Sequence, residues 1–236
     1  MKRKGMNEQQ WEDAEDPIDM LLLPPPGLPA TDRKIRLFCG GCCRRIWDKM
    51  SGDNRSAVEL AELYADGLAS GGELAIREEE CRLYPDRDDP DIFQEDRPPE
   101  YWCDVASWHV VSAHVGDKYY EVCDATRRVA RDRSGEWEDV VQARLLRDLF
   151  GPLPFRTVAI PPAILTWNDG TVVRLARAAY DERHMPEGTL DNGRLAVLAD
   201  ALEEAGCSDA DILGHLRGLG PHVRGCWIVD LLLGKG

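Results

Sequence analysis

Apolar side chains recur along this chain at steps of three and four residues, the spacing that lines one face of an α-helix, and no succession of strand, turn and helix interrupts them. That pattern points to an all-α fold, an irregular multi-helix bundle of about eight helices without a parallel sheet. Ile35, Phe38, Cys42, Ile46 and Trp47 set the pattern first and predict a helix from Asp32 to Met50. Gly40 and Gly41 fall inside it, each costing about 1 kcal/mol relative to alanine, so a bend or a close backbone contact is expected there.

Turn residues divide the rest. Residues 1–31 read as a proline-rich N-terminal arm, with an acidic opening, an apolar patch at Met20 to Leu23, and then Pro24, Pro25 and Pro26, which cannot continue a helix. Residues 32–236 read as a single helical domain. Ser56 is a candidate cap for a helix from Ala57 to Ala69, and a short helix follows the Gly71-Gly72 break. Residues 84–100 are dense in Asp and Pro and read as a solvated loop or a disordered insert. An amphipathic segment runs from Trp102 toward Arg133, with a possible break at Gly116, and a helix from Glu136 to Phe150 ends at Gly151-Pro152. Residues 152–167 read as extended. Asn168 or Asp169 then caps a helix through Tyr180, Gly206 stops a helix begun at Arg194, and Ser208 with Asp211 resembles a capping box for a helix to Leu216. Gly225 to Leu233 reads as a short buried helix, although Trp227 to Leu233 fits a strand equally by periodicity alone.

Charge bears on partners. The 236 residues carry 29 basic and 43 acidic side chains, a formal charge of -14, which disfavours nucleic acid as a partner. Residues 51–100 alone account for -10, with fifteen acids against five bases, so most of the surplus is local. The longest mostly apolar runs, such as Ile228 to Leu233 with Asp230 inside it, are far short of the roughly 20 residues that span a bilayer, and acids follow Lys2, Arg3 and Lys4 where a signal peptide needs an apolar stretch. A cytoplasmic protein is expected, with its eight cysteines as reduced thiols, since Cys42 beside Cys43 is an awkward pair to bridge.

Two groups of residues bear chemistry that a site could use. Cys207, His215, His222 and Cys226 are all legitimate zinc ligands, and only His222-x3-Cys226 has the short spacing of a zinc motif. The plainer reading makes Cys207 a core residue beside a helix end and lets His222 order a turn. Cys39, Cys42 and Cys43 lie next to Arg44 and Arg45, where positive charge could activate a thiol. Helical spacing instead points Cys39 and Cys42 at a neighbouring helix, and a base such as His109 or His114 cannot be placed beside them from sequence.

Other features have ordinary readings. Arg33, Lys34, Arg36, Arg44 and Arg45 make the first long helix locally basic, a candidate anion or nucleic-acid contact that ion pairs with acids of the middle region explain more simply. Asp86, Asp88, Asp89 and Asp91 lack the glycine and distal glutamate of a calcium loop. Asp230 is a possible acid partner for His222, and Trp102, Trp108, Tyr119, Tyr120 and Trp137 suit either a core or a binding surface. No catalytic and no cofactor-binding residue is assigned.

The segments NEQQWEDAEDP, TDRKIRLFCGGCCRRIW, LLRDLFGPLPFR, TWNDGTVVRLARAAYDER, LADALEEAGCSDADILGHLRG and GPHVRGCWIVDLLLGK together resemble a paralogous protein family of planctomycete bacteria of the Gemmata type. The resemblance covers nearly the whole chain and is strongest over the C-terminal subdomain, residues 152–236. Members often carry a SUKH-like label, an α+β class for which this sequence shows too few strands. LADALEEAGC also resembles the short repeat-companion motif of the same bacteria, which implies interaction or regulation. The resulting expectation is a non-enzymatic, cytoplasmic interaction or regulatory module with a protein partner and no membrane. The alternative is a zinc-binding protein or enzyme that uses the C-terminal Cys and His residues.

Overall fold

The computed structural model describes residues 5–82, 97–130 and 137–235. Within them the chain is all-helical: twelve α-helices and no strand, with only isolated bridges joining His184 to Thr189 and Thr189 to Val223. Twelve rather than about eight helices arise because short, well-capped turns form where composition suggested loops. In the arm, Asn7 and Gln10 build a reciprocal capping box for α1 (Glu8–Asp13), and Pro17 opens α2 (Pro17–Leu22), the position where its missing N–H costs nothing. No helix among the described residues is long and apolar enough to cross a membrane.

The helices form two compact units. One, here the central unit, comprises residues 15–18 and 30–142; the other, the carboxy-terminal unit, comprises residues 1–14, 19–29 and 143–236.

In the central unit, Thr31 caps α3 (Asp32–Arg44) by accepting the Lys34 N–H. The helix is continuous through Gly40 and Gly41, with no bend; the Glu62 stem lies 3.5 Å from where a Cβ on Gly40 would be. α4 (Gly52–Ala65) begins one turn earlier than Ser56, because Ser51 accepts the Asn54 N–H while the Ser56 hydroxyl donates to the Asp53 carbonyl. α5 (Gly71–Arg82), α6 (Pro99–Val111) and α7 (Tyr119–Ala130) complete the unit, α6 packing on α4, α5 and α7. Residues 98–100, placed by sequence in the acidic loop, are the cap and first turn of α6, and a 3-10 turn over Val115–Asp117 separates α6 from α7. Asp86, Asp88, Asp89 and Asp91 lie outside the described residues.

The basic residues of α3 are used inside this unit. Arg36, 1% exposed, donates to the carbonyls of Val110 and Ser112 at 2.7 and 3.0 Å, satisfying the end of α6 where helix carbonyls lack partners. Arg44 makes a two-pronged bond to Glu62 at 2.7 and 3.0 Å, both side chains buried, and lies over the Trp47 ring. Arg33 pairs with Asp66, and Arg45 with Glu138. This cationic stretch is therefore internal wiring of the unit, not an open anion surface.

The carboxy-terminal unit receives α8 (Glu138–Phe150) from residue 143 onward, then α9 (Pro162–Asp181), α10 (Asn192–Glu204), α11 (Ala210–Arg217) and α12 (Trp227–Leu233). Its core gathers Val172, Ala176, Leu195, Leu198, Leu202, Ile212, Leu216, Trp227, Ile228 and Leu232. Helix α9 begins inside the stretch expected to be extended, because Pro162 sits at its first position and so supplies a pre-set φ. Asn168 and Asp169 do not act as a plain cap: with Gly170 they form three successive left-handed residues that break α9 into two helical pieces. Asp191 caps α10, and Asp209, not Ser208, caps α11 by accepting the N–H groups of Asp211 and Ile212.

At the end of α8, Gly151 has φ +51°, and a Cβ there would lie 2.6 Å from three atoms of the buried Trp227 indole. Gly151→Ala therefore meets both a left-handed backbone and a filled space. It is expected to destabilise the protein by about 2–4 kcal/mol in urea unfolding, and a loss below about 1 kcal/mol would show that the indole can yield.

Candidate metal centre

Four side chains from three helices and one loop converge in the carboxy-terminal unit. Asp148 comes from the last turn of α8, His215 from the last turn of α11, His222 from the loop after α11, and Cys226 from the cap position of α12. One ligand atom from each, a carboxylate oxygen, two imidazole nitrogens and a thiol sulfur, lies within 4.8 Å of every other. Asp148, His222 and Cys226 are buried, at 3%, 3% and 0% exposure, and the His215 side chain retains 20%.

Each group is oriented by a second contact. Asp148 accepts the Val223 backbone N–H on Oδ2 at 2.8 Å, which turns Oδ1 toward the histidines, 2.9 Å from His222 Nδ1 and 3.0 Å from His215 Nε2. His222 Nε2 faces the Gly218 carbonyl at 3.3 Å, so that nitrogen carries a proton and Nδ1 is the one aimed inward. His215 Nε2 also stands 3.2 Å from Cys226 Sγ, and its ring meets the edge of His222 and of Trp227. The loop itself is tied down: Leu190 N–H donates to the His222 carbonyl at 2.8 Å, and Cys226 N–H to the Val223 carbonyl at 2.9 Å.

The electrostatics follow from this packing. Burial pushes the Asp148 carboxyl up, but the hydrogen bonds from His215 and His222 outweigh it and hold it at about 2. Burial pushes His222 down, yet its bond to Asp148 leaves it above the usual imidazole value. Burial, reinforced by the Asp148 charge, lifts the Cys226 thiol well above its ordinary range. A carboxylate oxygen only accepts, so a positive centre must lie between Oδ1 and each facing nitrogen: a proton or a metal ion. Tetrahedral zinc, with bonds of about 2.0–2.3 Å, spaces its ligands about 3.3–3.8 Å apart, so the 2.9, 3.0 and 3.2 Å separations among these groups would have to widen to admit an ion.

Of the four candidate ligands read from sequence, the fold brings His215, His222 and Cys226 together and leaves Cys207 outside the group. Cys207 follows the Gly206 stop of α10, its N–H bonded to the Leu202 carbonyl, and its side chain belongs to the apolar core. Asp148 was missed. The signal was present: Val141, Leu145 and Asp148 follow helical spacing, so an acid occupies a position on the buried face of α8 where periodicity asks for an apolar residue. Asp148, rather than Asp230, is the acid that His222 meets. The bond from His222 to Gly218 also bears out a turn-ordering role for that histidine.

The cysteines of the central unit present no comparable chemistry. All eight thiols of the chain are buried and unbridged. Burial drives Cys39 and Cys42 far above the thiol range and raises Cys103 to about 12, so none of these is poised as a thiolate. His109 stacks on Trp108, 4.6 Å between ring centres. No protein-family model, curated protein or solved structure matches the chain.

Proposed function

We propose that the chain is a zinc protein whose carboxy-terminal unit holds one ion on Asp148, His215, His222 and Cys226. The observation that carries this reading is the convergence of four ligand atoms of three chemical types, buried and individually oriented, from positions as far apart as α8 and α12. A donor set of nitrogen, sulfur and one carboxylate favours zinc over the oxygen-seeking magnesium and calcium. The ion would fasten α8, α11 and α12 at one point, which explains why the loop between α11 and α12 carries two of the four ligands. Its primary role in this reading is to bind metal and order the helices around it.

Protein purified without chelators and supplied with zinc is expected to retain close to one equivalent per chain by elemental analysis; under about 0.1 equivalent after dialysis would sink the proposal. The pH dependence has a definite sign. Without metal, protonated His222 paired with Asp148 stabilises the fold fully below the ordinary imidazole value, and that contribution is lost as pH rises through the raised value of the folded state. Asp148 contributes above its unfolded value and is lost only as pH falls through about 2. Zinc needs neutral imidazoles and a thiolate, so the gain in Tm on adding zinc should grow from pH 6 to pH 8. A gain that is flat or shrinks over that range contradicts the assignment of ligands.

A further inference from the structure

The turn that leads into His222 is held in part by a side chain of α10. Asn192, the exposed first residue of that helix, donates through Nδ2 to the Leu219 carbonyl at 3.1 Å. The preceding carbonyl of the same turn, that of Gly218, faces His222 Nε2 at 3.3 Å, so the bond from Asn192 and the bond that orients a ligand fall on neighbouring residues. The turn is tightly folded and passes displacement on: Gly220 has φ +82°, and a Cβ there would lie 2.6 Å from the His222 backbone nitrogen and 3.1 Å from its ring.

The chemistry of Asn192 itself sets it apart. The chain holds four asparagines, and Asn192 is the one followed by glycine. A glycine has no side chain to obstruct the approach of its nitrogen to the neighbouring amide, and both Asn192 and Gly193 are exposed. The Gly193 N–H falls in the first turn of α10, where the helix supplies no acceptor for it. Asn54, by contrast, is 2% exposed and bonded to Asp104 inside the central unit.

We infer that Asn192 and Gly193 form a site of spontaneous deamidation, and that conversion of Asn192 to aspartate loosens the metal centre. The Gly193 nitrogen attacks Asn192 Cγ, ammonia leaves and a succinimide ring closes; water then opens the ring, so that in sum an amide and water become a carboxylate and ammonium. The new carboxylate has no N–H to donate and faces the Leu219 carbonyl oxygen, which turns an attraction into a repulsion beside the residue that orients His222. The helix itself is not weakened, since a negative charge in its first turn suits the helix dipole. The consequence for the metal rests on the zinc reading; the deamidation does not.

The test uses the full chain, fresh and after prolonged incubation at mildly alkaline pH, with peptide mass spectrometry to locate deamidation and competition against a chromogenic chelator to measure zinc affinity. Asn192 is expected to deamidate before Asn7, Asn54 and Asn168. Asn192→Asp protein should bind zinc about three- to tenfold more weakly than fresh wild type, while its metal-free Tm stays unchanged. Gly193→Ala, which places a methyl group beside the attacking nitrogen, should keep its asparagine and its zinc affinity through the same incubation. Deamidation of Asn192 no faster than of the other asparagines, or equal affinity in Asn192→Asp, overturns the inference. So does a loss of affinity matched by a fall in metal-free Tm, which would mark general destabilisation rather than a displaced ligand. Fresh wild type that takes up no zinc is seen before any incubation; it removes the zinc reading, and the inferred control of the metal centre falls with it.

Discussion

His222→Ala protein is expected to bind zinc at least about 100-fold more weakly than the wild type, with most of the zinc-dependent rise in Tm gone. Even an outer partner of a metal ligand is worth about 10–100-fold in affinity, and here both an inward nitrogen and its orienting bond to Gly218 are removed. The change also strips Asp148 of one of the two imidazoles that hold its buried carboxyl ionised, so the metal-free variant should itself be less stable. Cys207→Ala is the control: its thiol belongs to the apolar core, so that variant should bind zinc as the wild type does. Isothermal titration of both variants decides the matter, and equal loss in the two would mean that the ligand set has been misassigned.

The second large effect lies in the central unit. Glu62→Ala should lower stability by about 3–5 kcal/mol, with Tm falling by roughly 10 °C, because it leaves the Arg44 guanidinium buried at 3% exposure without its carboxylate. Replacing both partners, as in Arg44→Met with Glu62→Leu, should recover most of the loss, since the attraction within a buried pair largely offsets its own desolvation. Glu79→Ala, which removes a surface pair with Arg82, should leave the melting curve unchanged. Similar shifts for Glu62→Ala and Glu79→Ala would show that burial is not what gives the Arg44–Glu62 pair its weight.

These two regions differ in how much of them the sequence discloses. Helix faces were legible wherever apolar spacing was regular: Ile35, Phe38, Cys42 and Ile46 are all buried, as are Leu145, Leu146, Leu149 and Phe150. Helix starts were less legible, because Ser, Thr, Asp and Asn compete for the cap within a turn of one another. Ser51 displaced Ser56, and Asp209 displaced Ser208, by the accident of which side chain met an N–H at the right angle. The short helices of the arm escaped because six residues cannot display a period, and their stability comes from contacts such as Trp11 against Phe150 and Phe155. The basic stretch on α3 looked like a surface because sequence counts charge without showing where each charge points.

The sequence alone determined the helical class, the buried faces and three of the four residues that meet at the candidate centre. The tertiary structure decided the fourth. Periodicity, caps and glycine stops act over a turn or two of chain, so they are written in neighbouring residues and can be read there. Asp148 stands 67 residues from His215 and 74 from His222, and only the packing of α8 against the loop after α11 brings its carboxylate to both rings. That same packing left Cys207 in the apolar core, although sequence placed it among the ligands.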